Sequence, residues 1–187
     1  MPIAFPNVEI ESIDMRLVRS VAMSESAFTY DQQVYDFGGA RWEAEIRFAP
    51  LSPSEARLVE AFLVALKGKS GTFTFGHPLH NVTGVTATLG SAAAVRDETL
   101  NVTSDYDIDA GTYFQLGNYL YMFLEDIPAN TATTVDIQPP LRQASSSGVT
   151  CDLTLPKSTW RLATNDIGWT TAATQQYSFT IPCIEAI

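Results

Sequence analysis

Histidine is scarce in this chain: there are two in 187 residues, His77 and His80, both in His77-Pro78-Leu79-His80. A Ser-His-Asp or Cys-His arrangement would have to be built on that one stretch. No Gly-x-Ser-x-Gly elbow accompanies it. Two histidines three apart can open a metal site, but no nearby cysteine or carboxylate pair completes one, so the pair reads as loop or surface. Cysteine is as rare. Cys151 and Cys183 lack Cys-x-x-Cys spacing, which leaves either two unpaired core thiols or one disulfide between late segments. No basic start followed by an apolar run marks a secretory signal, so synthesis in a cytosol is expected and the sequons at Asn81 and Asn101 are expected to stay bare. No apolar stretch approaches the roughly 18 residues of a membrane span, so no membrane insertion is expected. Basic residues are outnumbered as well, 11 Lys and Arg against 21 Asp and Glu, for a formal net charge of −10. A chain so acidic lacks the counterion-releasing surface that specific nucleic-acid binding requires.

What is present is a globular composition rich in strand formers. Hydrophobic residues at 45% with 17% charged are too apolar for a disordered chain, and the length fits one large domain or a domain carrying a smaller insert. Residues 8–13 and 15–21 alternate apolar with polar, as half-buried strands do. An aromatic run follows at 28–37, then Gly38-Gly39, then Arg41–Phe48 with Trp42, Ala44, Ile46 and Phe48 on one face. Gly-Gly between two such runs predicts a hairpin turn. The spacing predicts a helix over 52–67. Ser52 and Glu55 make a capping box, and Pro53 suits the first turn. Leu58, Val59, Phe62, Leu63 and Leu66 form the apolar stripe, with Gly68 as left-handed terminator. Further strands are expected at 71–76, ended by the His77-Pro78 breaker, and at 98–102, 113–116, 119–124, 134–137, 159–163 and 176–182, with a flexible connector at 143–148. The expected fold is mainly β: a split β-barrel or sandwich, discontinuous over 1–78 plus 157–187, with one packed helix and an inserted small β-barrel-like module over 79–156.

Candidate chemistry is thin. Gly68-Lys69-Ser70-Gly71 faintly echoes a phosphate loop but lacks the leading glycine and spacing, and reads as a turn after the helix. Asp105, Asp107 and Asp109 alternate like the start of a calcium loop, without the glycine at the sixth position or the closing Glu, and read as a solvated turn. Tyr113, Tyr119 and Tyr121, with Phe114, are candidate contacts for a glycan, although their alternation fits ordinary strand packing equally well. No catalytic, cofactor-binding or metal-binding residue is assigned, and no enzyme activity is expected.

Three runs carry a resemblance. Tyr35-Asp36-Phe37-Gly38-Gly39-Ala40-Arg41-Trp42-Glu43-Ala44-Glu45, Leu51-Ser52-Pro53-Ser54-Glu55-Ala56 and Gly71-Thr72-Phe73-Thr74-Phe75-Gly76 resemble the distal tail and minor tail proteins of long-tailed bacteriophages. Phe114-Gln115-Leu116-Gly117, Ile137-Gln138-Pro139-Pro140-Leu141-Arg142 and Trp160-Arg161-Leu162 are similar to later parts of the same family. The resemblance implies a virion structural protein whose split β-barrel assembles into a hexameric ring at the tail tip. Its implied partners are copies of itself, the tail tube protein and the hub or baseplate proteins, and it implies assembly in the host cytoplasm. A tail tube or tube-terminator protein, or a carbohydrate-binding host-recognition module at the tail tip, are the alternative readings. A closed ring would cover strand edges that endanger a lone β protein.

Overall fold

The computed structural model describes residues 2–76, 80–166, 168–171 and 177–187. His77, the Pro78 breaker and Gln176 lie outside the described residues. In chain order the first part carries β1 (Ile3–Ala4), β2 (Ile10–Glu25), β3 (Gln32–Phe48), α1 (Pro53–Leu66) and β4 (Phe73–Phe75). The middle carries β5 (Ala87–Leu89), β6 (Thr99–Ser104), β7 (Tyr113–Leu116), β8 (Tyr119–Phe123), β9 (Thr133–Gln138) and β10 (Thr150–Cys151). The last part carries β11 (Ser158–Leu162), β12 (Thr170–Thr171), β13 (Tyr177–Ser178) and β14 (Thr180–Glu185). The protein is mainly β, with a nearly closed six-stranded, barrel-like sheet in the order β1-β4-β11-β14-β3-β2. A second six-stranded sheet runs β10-β5-β6-β9-β8-β7, and β12 pairs with β13. Reciprocal backbone hydrogen bonds between Gln115 and Asp152, 2.8 and 2.9 Å long, join the two ends of the second sheet.

Helix α1 forms where its caps dictate. The Glu55 carboxylate accepts hydrogen bonds from the Ser52 backbone N–H (3.0 Å) and hydroxyl (2.6 Å), closing the helix start. Lys67 takes the left-handed conformation at the far end and its N–H bonds to Val64 O, with Gly68 also at positive φ. The terminator is therefore Lys67 one residue ahead of the expected glycine. The buried stripe is Ala56, Val59, Phe62, Leu63 and Leu66. Leu58 is exposed instead, because a turn of about 100° per residue carries it off the face defined by residues 59, 63 and 66. The stripe packs on Trp42, Ile46, Phe48, Phe73, Phe75, Trp160 and Ile181 inside the barrel. Phe5 sits among the rings of Phe75 at 4.8 Å, Phe62 at 5.5 Å and Phe73 at 5.8 Å. Burial of each large side chain contributes about 1.5–3 kcal/mol, well above any helix propensity term.

The hairpin expected at Gly38-Gly39 is not there. β2 and β3 are continuous antiparallel strands of 16 and 17 residues, and the glycines lie inside β3. The register runs Arg19↔Ala40 and then Val21↔Asp36, so Ser20 alone faces Phe37, Gly38 and Gly39. This is a β-bulge, and it uses the glycines for what they allow. Gly38 has φ +69°, its N–H bonds to Asp36 Oδ1 at 2.8 Å, and a Cβ on Gly39 would meet Ser20 Cβ at 3.3 Å. The chain actually reverses at 26–31 without a glycine. Ser26 N–H bonds to Asp31 O, Tyr30 N–H bonds to Ser26 O, both at 2.9 Å, and Tyr30 takes φ 59°. The alternating runs at 8–13 and 15–21 lie, from Ile10 onward, in the one strand β2.

A second core fills the middle part: Leu89, Leu100, Val102, Phe114, Tyr121, Phe123, Ile127, Val135 and Ile137 among others. The β7–β8 hairpin separates the two cores. Phe114, Leu116, Tyr121 and Phe123 face the second core, while Leu120, Tyr113 and Met122 pack against the barrel core. Trp42 fixes this contact, its indole N–H donating to Leu120 O at 2.9 Å and its ring 5.5 Å from that of Tyr113.

Candidate functional site: a projecting β-arm and the groove at its base

Past Ala40 the β2–β3 hairpin leaves the barrel. β14 accompanies β3 only from Glu43 to Arg47, so beyond that point each strand of the hairpin has only the other as neighbour among the described residues. Residues 18–25 and 32–39 are exposed on both faces. Cross-strand register places Val21, Met23 and Val34 on one face and Ala22 and Tyr35 on the other, with Phe37 exposed in the bulge. The turn adds Phe28, 96% exposed, and Tyr30, 73% exposed. At about 150–250 Å² per aromatic side chain, these residues together leave on the order of 800 Å² of apolar surface in water. That area is divided between two faces and the turn, each share no larger than the roughly 300–600 Å² of the largest single patch on an ordinary monomer.

At the arm's base lies a groove in two adjoining lobes of about 430 and 330 Å³, which share Gly39, Arg142 and Ile187. Arg19, Arg41, Arg96 and Arg142 line it, with Glu98 as its carboxylate and Val18, Ala40 and Leu141 in its apolar wall. Arg19 reaches Asp36 on the arm (3.0 Å) and Glu98 on the second sheet's side (3.4 Å). Arg41 and Arg16 both bind Glu43 at 2.7 Å and hold its carboxyl below the usual range, Arg41's hydrogen bond being the largest cause. Arg96, at φ 74°, makes no ion pair among the described residues.

Beneath the groove is a buried ion pair. The Glu185 side chain is 0% exposed and that of Arg142 13%, with Arg142 Nη2 3.1 Å from Glu185 Oε2. The same carboxylate oxygen accepts the Trp42 N–H at 3.2 Å, and Arg142 also donates to Ala40 O. Burial pushes the Glu185 carboxyl above its ordinary value, while the Arg142 charge and the Trp42 N–H oppose that rise. The pair ties the end of β14, the root of the arm and the loop after β9 together. Sequence reasoning passed over it, although Glu185 continues the inward alternation of Ile181 and Cys183, a charge on an apolar face.

The sequence-stated candidates scatter. Tyr121 is fully buried and its hydroxyl accepts the Arg142 N–H at 2.9 Å, so it offers no ring to a sugar. Tyr113 lies on the opposite face of the β7–β8 hairpin from Tyr119 and Tyr121, because cross-strand partners share a face. Tyr113 is half-buried and packs its ring 4.6 Å from that of His80. Three tyrosines on two faces make no common platform. Asp105 and Asp107 each accept one backbone N–H, from Thr86 and Ala129, at 2.7 Å. Asp109 instead uses its main-chain carbonyl, accepting the Thr112 N–H at 3.3 Å. Gly68–Ser70 forms a 3-10 turn, with Lys69 N–H bound to the Asn165 side chain. Cys151 and Cys183 are free, buried in separate cores, and both thiols are pushed up to about 12 by burial. No helix among the described residues is long and apolar enough to cross a membrane. In comparisons with known proteins, the chain matches no family model and no curated protein sequence.

Proposed function

We propose that this chain is a structural subunit of a long-tailed phage virion, assembling into a distal tail ring that joins the tail tube to the hub. The observation that carries the reading is the arm. It exposes apolar residues on both faces and at its turn, on a strand pair whose outer edges have no neighbour among the described residues. Open edges and wet aromatics are a hazard for an isolated chain, and self-assembly removes both. The resemblance of the Tyr35–Glu45 and Leu51–Ala56 runs to tail proteins supplies the setting. A net charge of −10 suits a ring past which DNA moves without adhering.

Quantitative mass spectrometry of purified virions, with negative-stain microscopy of a labelled chain, tests this. One ring's worth of copies at the tail tip is expected. Many copies along the tail would favour a tube subunit, and absence from the particle would sink the proposal.

A further inference from the structure

The groove at the arm's base holds one arginine, Arg96, with no ion pair among the described residues, and the arm's own tip has the matching chemistry. Four arginines and one glutamate line the groove. The tip presents Phe28 and Tyr30 beside Glu25 and Asp31, and neither carboxylate is paired with a cation among the described residues. Glu25 instead accepts from Gln32 and Asp31 from Thr29, both at 2.6 Å. We propose that the groove receives the arm tip of a second copy of this chain, so that copies join head to tail.

Reach decides that the occupant comes from another copy. Along β3, from Ala40 at the groove to Asp31 at the tip, extended chain at about 3.3 Å per residue covers roughly 30 Å. A paired ribbon of that length cannot fold its tip back onto its own root. Size agrees: lobes of about 430 and 330 Å³ fall within the roughly 300–1,000 Å³ of pockets that enclose compact ligands, here two aromatic rings on a tight turn. Charge adds direction. Arg96, without an ion pair among the described residues, would face an incoming Asp31 or Glu25, whereas Arg19, Arg41 and Arg142 are held by acidic neighbours. Tip and groove are different surfaces, so the contact is heterologous and repeats until it closes a ring or runs on as a filament. The inference rests on the ring reading and gives it a specific contact.

The test uses the full chain. Phe28→Ser/Tyr30→Ser alters the tip and Arg96→Asp the groove, Asp being a residue that tolerates the left-handed backbone there. These positions are exposed, so circular dichroism and melting temperature are expected to match the parent chain. Mass photometry is expected to show the parent as rings, and each variant at least 100-fold weaker in assembly. Because both native thiols are buried, new surface cysteines report contact directly. An Ala27→Cys chain mixed with a Val95→Cys chain is expected to form a disulfide-linked pair on oxidation. Rings from both variants, with no cross-link in the mixture, would overturn the tip-in-groove contact and leave the ring reading standing. A parent chain that stays monomeric at every concentration and is absent from virions would overturn the ring reading itself, and this contact with it.

Discussion

Glu185 and Arg142 sit 43 residues apart in sequence and share one buried hydrogen-bonded contact, an expensive arrangement in physical terms. Two charges have been taken out of water, and Glu185 Oε1 and Arg142 Nε have no hydrogen-bond partner among the described residues. Removing one member strands the other. Glu185→Ala is therefore expected to destabilise the fold by about 3–5 kcal/mol, whereas the apolar double replacement Arg142→Met/Glu185→Leu costs far less. Urea denaturation of the two singles and the double measures this coupling. The pH dependence carries a definite sign. Burial raises the folded-state value of Glu185 above the ordinary 4.5, so between those two values the folded chain holds a proton that the unfolded chain releases. This carboxyl's contribution is fully present below 4.5 and is lost as pH rises through the raised value. Glu185→Gln is expected to flatten that part of the stability profile. An unchanged slope would show that Glu185 does not titrate in the window.

At the scale of elements, Gly38 is the residue on which the arm turns. It holds φ +69° with nothing within 4 Å of where a Cβ would stand, so a substitution there tests backbone conformation alone. Gly38→Ala is expected to cost about 1–2 kcal/mol, and Gly38→Asn less, because Asn tolerates the left-handed region. Equal losses would mean that the bulge relaxes instead of bearing strain. The same position explains how much of the fold is legible in the sequence. Helix α1 is legible because its signals, Ser52, Pro53, Glu55 and the 3.6-residue apolar period, are all local. The inward face of β3, Trp42 to Phe48, is legible for the same reason. Gly38-Gly39 is ambiguous because glycine serves a turn and a bulge equally, and what decides is Ser20 across the ladder. The candidate site suffers more. Alternation in 15–21 and 28–37 reads as half-buried strand, yet nothing among the described residues covers the arm, and no local pattern distinguishes one wet face from two. The tyrosines of β7 and β8 mislead similarly, since their face depends on pairing across the hairpin.

Across the whole molecule, the two cores are joined by a hairpin that belongs to both. β7 and β8 give Phe114, Tyr121 and Phe123 to one core and Leu120, Tyr113 and Met122 to the other. Neither sheet can lose this hairpin without exposing its own interior, so the cores are expected to unfold together. The chain's three tryptophans, Trp42, Trp160 and Trp169, all lie outside 79–156, so their fluorescence reports the barrel side while far-UV circular dichroism reports both sheets. In urea the two signals are expected to coincide for the parent chain. Leu120 is the side chain that crosses over: it is carried by β8 and buried at 1% exposure in the barrel's core, beneath the carbonyl that holds the Trp42 indole. Leu120→Ala is expected to cost about 2–5 kcal/mol and to separate the curves, tryptophan emission changing at lower urea. Separate transitions in the parent chain would mean that the hairpin contact is incidental. Coincident transitions that Leu120→Ala pulls apart would mean that one side chain couples the arm-bearing barrel to the second sheet, and would carry any load on the arm into both.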